Sequence, residues 1–221
     1  MRACEQTRRR SVAGIIMGFL LAATPVHSSA LSETADPESQ LVDDTEAWLC
    51  YFSPDIDYVR YRFAASVPSD SQYRNVTWNA RVKWNDRATD VKFAVTSDVS
   101  VRNVSVHKLN SSQPYWAWVS YSADRNIGDC ASNHHLWLQN HVGVWFNHDQ
   151  MYTLSLDNKS IVAGHEFGHA LGLGHPPDQL QGMNCIPANP RPSIMYQGEL
   201  KFTYCQLPRS RDVTNVNSIY F

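Results

Sequence analysis

Residues 58–65 alternate, with Val59, Tyr61 and Phe63 set between Arg60 and Arg62. That period of two predicts a strand with one buried face. Residues 71–84 carry Val76, Ala80, Val82, Trp78 and Trp84 among polar positions, as an amphipathic helix does. Shorter apolar runs at 91–95, 101–107 and 115–121 read as strands, and alternation over 136–146 predicts another. From Asp157 as N-cap, a helix is predicted to run through Ile161, Val162, His165 and His169. Prolines and glycines from Pro176 to Pro192 then break the pattern into an irregular loop. A last helix fits 212–220, with Val213, Val216, Ile219 and Tyr220 spaced to face a core. No internal repeat or low-complexity linker divides these elements, so one domain is expected.

Chemistry concentrates in His165-Glu166-Phe167-Gly168-His169-Ala170-Leu171-Gly172-Leu173-Gly174-His175. Successive helical residues turn by about 100°, so His165 and His169 share one face a turn apart and reach one ion. Glu166 lies beside them, close to the metal and suited to hold a water instead of ligating. Gly172 comes where helices end on a left-handed residue, a conformation glycine adopts without strain. The chain can then turn back and supply His175 as third ligand. Three histidines leave the fourth tetrahedral position open, the arrangement of a catalytic zinc.

The remaining sequence bears on where the protein works. Arg2, Arg8, Arg9 and Arg10 precede an apolar run at 13–23, and Ser28-Ser29-Ala30 follows, so residues 1–30 read as an export signal. The run is shorter than the roughly 20 residues of a membrane span, so no stable span is expected. A retained anchor is the alternative, and Thr7-Arg8-Arg9-Arg10 hints weakly at twin-arginine export. Residues 31–47 form an acidic leader or short pro-segment, and the packed domain spans 48–221. Without residues 1–30, which hold four arginines and one acid, 15 basic and 20 acidic residues remain, a formal charge of −5. No basic stretch survives, and no nucleic-acid partner is expected. Cys4 leaves with the signal, and Cys50, Cys130, Cys185 and Cys205 suit two disulfides in an exported protein. Sequence allows three pairings; Cys185–Cys205 with Cys50–Cys130 is preferred, and the absence of C-x-x-C spacing argues against metal binding by these cysteines.

The segment 165–175, together with Ser193-Ile194-Met195-Tyr196, resembles the metzincin zinc endopeptidases, and within them the matrixins. Val144-Trp145-Phe146-Asn147 is similar to the end of their substrate-side strand, and 212–220 to their closing helix, so the likeness covers about 145–221. It implies an α+β zincin-like domain: a twisted, mostly parallel sheet with an antiparallel edge strand, an active-site helix, a Met-turn and a C-terminal helix. It implies zinc on His165, His169 and His175, Glu166 as general base, and Met195 in the turn beneath the metal. Tyr196 directly follows the methionine and is expected to line the substrate pocket. A protein or peptide substrate, extended along an edge strand near 136–146, follows from the same likeness; with the export signal at 1–30 the protein is expected to be secreted, and it is expected to act as a monomer.

The chain also departs from the matrixins. Their cysteine-switch motif is absent from the leader, since Trp48-Leu49-Cys50-Tyr51 does not resemble it. The 20-residue interval from His175 to Met195 is longer than theirs and contains Cys185. No pattern for structural calcium or a second zinc is recognisable, which leaves His134, His135, His141 and His148 unassigned. Two other functions stay open: a non-catalytic exported zinc-binding protein on a protease scaffold, and a zinc hydrolase of a non-peptide amide. Sequons stand at Asn75, Asn103, Asn110 and Asn158.

Overall fold

A computed structural model describes residues 50–121, 142–176, 192–197 and 201–220. The export signal, the acidic leader, Cys130, Cys185, His134, His135 and His141 lie outside the described residues. Among the described residues there are five strands: β1 (Tyr58–Phe63), β2 (Lys92–Val95), β3 (Val104–Leu109), β4 (Ala117–Tyr121) and β5 (Val142–Asn147). Five helices accompany them in the same residues: α1 (Gln72–Asn85), α2 (His148–Met151), α3 (Leu156–Ala170), α4 (Lys201–Tyr204) and α5 (Ser210–Ile219). The architecture is α+β, with a mostly parallel sheet in the order β2-β1-β3-β5-β4. Strands β2, β1, β3 and β5 are parallel, and β4 alone runs antiparallel, at the edge beside β5.

Alternation in the sequence becomes burial in the sheet. Val59 and Tyr61 of β1, Phe93 of β2, Val104 and Val106 of β3, and Val142, Val144 and Phe146 of β5 enter one core. Helices α1 and α3 cover it. Ser71 caps α1, its hydroxyl accepting from the Tyr73 backbone N–H at 3.3 Å, and the helix buries Tyr73, Val76, Thr77, Ala80 and Trp84. Helix α3 is buried at every residue from Lys159 to Ala170, the mark of a central rather than a surface helix. Two aromatic stacks tie helices to sheet, Phe93 on Phe167 at 4.3 Å and Tyr73 on Phe146 at 5.3 Å between ring centres. The Trp84 indole N–H also donates to the Gly164 carbonyl at 2.8 Å, linking α1 directly to α3.

Several boundaries shift for local reasons. Helix α3 starts before Asp157, because Ser155 is its N-cap and accepts from the Asn158 N–H at 3.1 Å. The strand expected from residue 101 begins at Val104, since Asp98 holds Ser100 in a side-chain turn through its N–H at 2.8 Å. Asn103 then joins β1 sideways, its side-chain carbonyl accepting from the Arg60 N–H at 2.7 Å. That bond and its burial make Asn103 a poor glycan acceptor, whereas Asn75 and Asn110 are exposed. The alternating run at 136–146 contributes β5, an interior strand and not the sheet edge, because β4 folds back antiparallel along its outer side. The edge is therefore Ala117–Tyr121. Helices α2 and α4, each four residues long, are too short to show a period in sequence. Among the described residues no helix is long and apolar enough to cross a membrane.

Candidate metal centre

Helix α3 carries His165 and His169 on one face and then stops sharply. Leu171 is the C-cap and Gly172 adopts φ +98°, in the left-handed region. The Gly172 N–H reaches the His169 carbonyl, and the Leu173 N–H the Gly168 carbonyl, both at 3.0 Å. This pair of bonds is a Schellman ending. A Cβ at Gly172 would stand 3.0 Å from Tyr51 Cβ and 3.2 Å from the Cys50 carbonyl, so space as well as φ demands glycine. The reversal brings His175 back over the helix.

The three imidazoles converge. His175 Nε2 lies 3.2 Å from His165 Nε2 and 3.1 Å from His169 Nε2. His165 and His169 are buried and His175 half-buried, so the cluster opens to solvent on one side. The far side of each buried ring is held: His165 Nδ1 meets the Ile194 carbonyl and His169 Nδ1 the Leu173 carbonyl, both at 2.8 Å. A carbonyl only accepts, so each Nδ1 is the protonated nitrogen and each Nε2 presents its lone pair. A single His175 Nε2–H could satisfy one of those lone pairs but not both. A cation satisfies all three at once. Tetrahedral ligation at about 2.0–2.1 Å sets nitrogens about 3.3 Å apart, close to the separations observed. The donor set fits a metal ion, and neutral nitrogens with oriented Nδ1 partners are the usual way histidine presents itself to one.

The turn at 193–196 lies under α3 and supports the histidines. Met195 packs so closely that a Cβ on Gly168 would collide with its sulfur and stand 3.1 Å from Trp84. Asp212, in the first turn of α5, holds this turn from below. Its carboxylate accepts from the Ser193 hydroxyl at 2.5 Å, the Ile194 N–H at 3.0 Å and the Arg209 N–H at 2.8 Å. Ser193 Oγ in turn accepts from the Met195 N–H at 2.9 Å. Burial pushes the Asp212 carboxyl up, while those three donors and the Arg211 charge pull it down. The path from α5 to the ligand is thus Asp212, Ile194, His165.

Glu166 is buried, and with His165, Val162 and Gln197 it lines a cleft of about 280 Å³. Pro114, Tyr115, Trp116 and Ala117, the approach to the β4 edge, form the opposite lining. Asn147 fixes that rim. It is fully buried, and its amide donates to the carbonyls of Ser111 at 3.0 Å, Gln113 at 3.0 Å and Tyr115 at 3.1 Å. Its oxygen accepts from the Ser111 N–H at 3.2 Å. Nothing in the sequence marked Asn147 for this task beyond its place at the end of a strand.

The expected residues divide as follows. His165, His169, His175, Glu166 and Met195 are brought together. Tyr196 is fully buried beside Cys205, and the side chain of that turn lining the cleft is Gln197, whose amide nitrogen lies 3.2 Å from His175 Nε2. His148 is away from the cluster: its Nδ1 pairs with the Tyr73 hydroxyl at 3.0 Å, and burial pushes that phenol up to about 12. Cys50 and Cys205 are buried disulfide cysteines, and their pairing lies outside the described residues. No protein-family model matches the chain, and no curated protein matches it.

Proposed function

We propose that the chain is a secreted zinc-dependent endopeptidase, a metzincin of matrixin-like type, that hydrolyses peptide bonds with Glu166 as general base. The observation that carries this is the convergence of three lone-pair nitrogens, 3.1 and 3.2 Å apart, beside a buried carboxylate in a cleft. The pattern at 165–175, Met195 and the closing helix α5 support assignment to the metzincins, and residues 1–30 support export.

His165, His169 and His175 would hold the ion. When bound, zinc supplies Lewis-acid polarisation of a carbonyl and makes water a nucleophile near neutral pH. Glu166 takes the proton of the attacking water and delivers it to the leaving amine. The Ile194 and Leu173 carbonyls keep two imidazoles in the ligating tautomer and orientation. Strand β4 ends the strand order among the described residues, which supports an extended peptide pairing along its outer side. Backbone pairing there would bring a peptide bond past Glu166, with selectivity left to the side chains around the cleft.

The test is Glu166→Ala. The variant should retain zinc at wild-type stoichiometry and lose peptide hydrolysis by about 100-fold or more. Wild-type turnover in the variant would reject the assignment.

A further inference from the structure

A second pocket lies away from the histidines, at the carboxyl ends of β1 and β2. Its volume is about 510 Å³, and Arg62, Phe63, Arg74, Val95, Thr96 and Ser97 line it. None of these residues lines the histidine cleft, and in strand order β3 and β5 stand between the two. Strand β1 ends at Phe63 and β2 at Val95. The Thr96 N–H carries the parallel pairing one residue further, donating to the Tyr61 carbonyl at 2.9 Å. Parallel strands leave a crevice outside their carboxyl ends, and ligands bind in such crevices. Helix α1 brings Arg74 to it from its first turn.

Arg74 is held in place before any ligand arrives. Its Nε donates to the Pro68 carbonyl at 2.9 Å and Nη2 to the Val67 carbonyl at 3.1 Å. Its guanidinium carbon stands 4.4 Å from the centre of the Phe63 ring. A guanidinium has five N–H groups, so donors remain for a ligand. Arg62 reaches the pocket from the other face of β1, because neighbouring strand residues point to opposite sides. Neither arginine has an ion pair among the described residues. Asp98, two residues past Thr96, is occupied: its carboxylate accepts from the Ser100 N–H at 2.8 Å and the Ser100 hydroxyl at 2.7 Å. Two cations therefore line one cavity without a carboxylate of the described chain to answer them.

The other walls select among anions. Phe63 and Val95 are apolar, and Val95, Val99 and Val101 are all exposed. A small hydrated ion such as phosphate would use the arginines and leave that apolar surface in water. A carboxylate on a peptide uses both, since the guanidinium fork matches its two oxygens and a neighbouring side chain covers the valine and the ring. We propose that this pocket binds an acidic side chain of an extended peptide. Arg62 and Arg74 hold the carboxylate, and Phe63 and Val95 receive the apolar residue beside it. The site stands whether or not the histidine cleft cleaves peptides.

The experiment titrates the purified protein with a valine-glutamate-valine peptide, acetylated and amidated at its ends. A valine-glutamine-valine peptide, inorganic phosphate and a sulfated disaccharide form separate arms. The Arg74 Nε–H, held on the Pro68 carbonyl, gives a local NMR signal for each titration. The glutamate peptide should shift that signal and saturate with a dissociation constant of about 1 mM or below. The glutamine peptide should bind at least about 10-fold more weakly, having lost the charge-assisted bonds. Arg62→Gln should weaken the glutamate peptide by about 10-fold at an unchanged Tm, because the Arg62 side chain makes no hydrogen bond among the described residues. An Arg74 signal that does not move, or equal affinity for the two peptides, overturns the proposal, and neither result needs a variant. Wild-type affinity in Arg62→Gln overturns it as well. Tighter binding of phosphate or of the sulfated disaccharide than of the glutamate peptide overturns the assignment to a peptide.

Discussion

Asp212 touches no histidine, yet it should control both folding and metal affinity. Its carboxylate accepts from the Ser193 hydroxyl and the Ile194 N–H in the interior and from the Arg209 N–H at its part-buried edge. Each such bond to a charged acceptor contributes about 1.5–3 kcal/mol, and burying the carboxylate offsets part of the sum. Asp212→Ala leaves two buried donors without this acceptor, which costs about 2–6 kcal/mol at about 1–3 kcal/mol for each. For a domain of this size that is a fall in Tm of roughly 10 °C. Asp212→Asn keeps the volume and one oxygen, which can still serve the Ile194 and Arg209 N–H groups, while its amide meets a serine oxygen able to accept. The loss should be about 1–2 kcal/mol. Because the Ile194 carbonyl orients His165, zinc affinity should drop about 10–100-fold in Asp212→Ala and less in Asp212→Asn. Calorimetric melting of metal-free protein and competitive zinc titration read the two effects separately. Equal, sub-kilocalorie losses in both variants, with zinc affinity unchanged, would refute the path from α5 to His165.

Gly168→Ala should cost about 1–3 kcal/mol through the collision of its Cβ with Met195, and much less in a Met195→Ala background. Additive losses in urea unfolding of the double variant would show that the two do not pack as described. His107 stacks on Trp145 at 4.0 Å and has its pKa lowered below 6.5 by burial and then by Arg102. The folded protein therefore binds fewer protons here than the unfolded chain. This contribution is present above 6.5 and lost as pH falls through the folded value. His107→Phe keeps a ring on Trp145 and should flatten the stability loss between about pH 7 and about pH 5. An unchanged slope in urea midpoints would contradict it.

The parts legible in sequence were those written locally. Strand β1 and helix α1 follow from periods of two and 3.6, and Ser71 marks the start of α1. The histidine cluster is compact in sequence because one helix turn and one Schellman reversal bring its members together, so spacing alone foretold it. The left-handed Gly172 follows from the same geometry. What was not legible depends on contacts across the fold. That β4 and not β5 is the edge is decided by an antiparallel return whose partner cannot be read from either strand alone. Asn147 reaches back 36 residues to Ser111, and Asp212 reaches 18 back to Ile194. Ser155 outcompeted Asp157 as N-cap because both residue types cap well and only the position of the first turn decides. Gln197 was not legible because a glutamine two residues past a methionine carries no chemical signature until the fold sets it beside His175.

The most direct measurement takes the purified protein, strips its metal with a chelator, and titrates zinc back against a peptide library with products identified by mass spectrometry. Cleavage should vanish on stripping, return in proportion to zinc up to one equivalent per chain, and never return in His175→Ala. Cleavage that survives chelation, or a fully zinc-loaded protein that leaves every peptide intact, would contradict a metal-dependent endopeptidase at His165, His169 and His175.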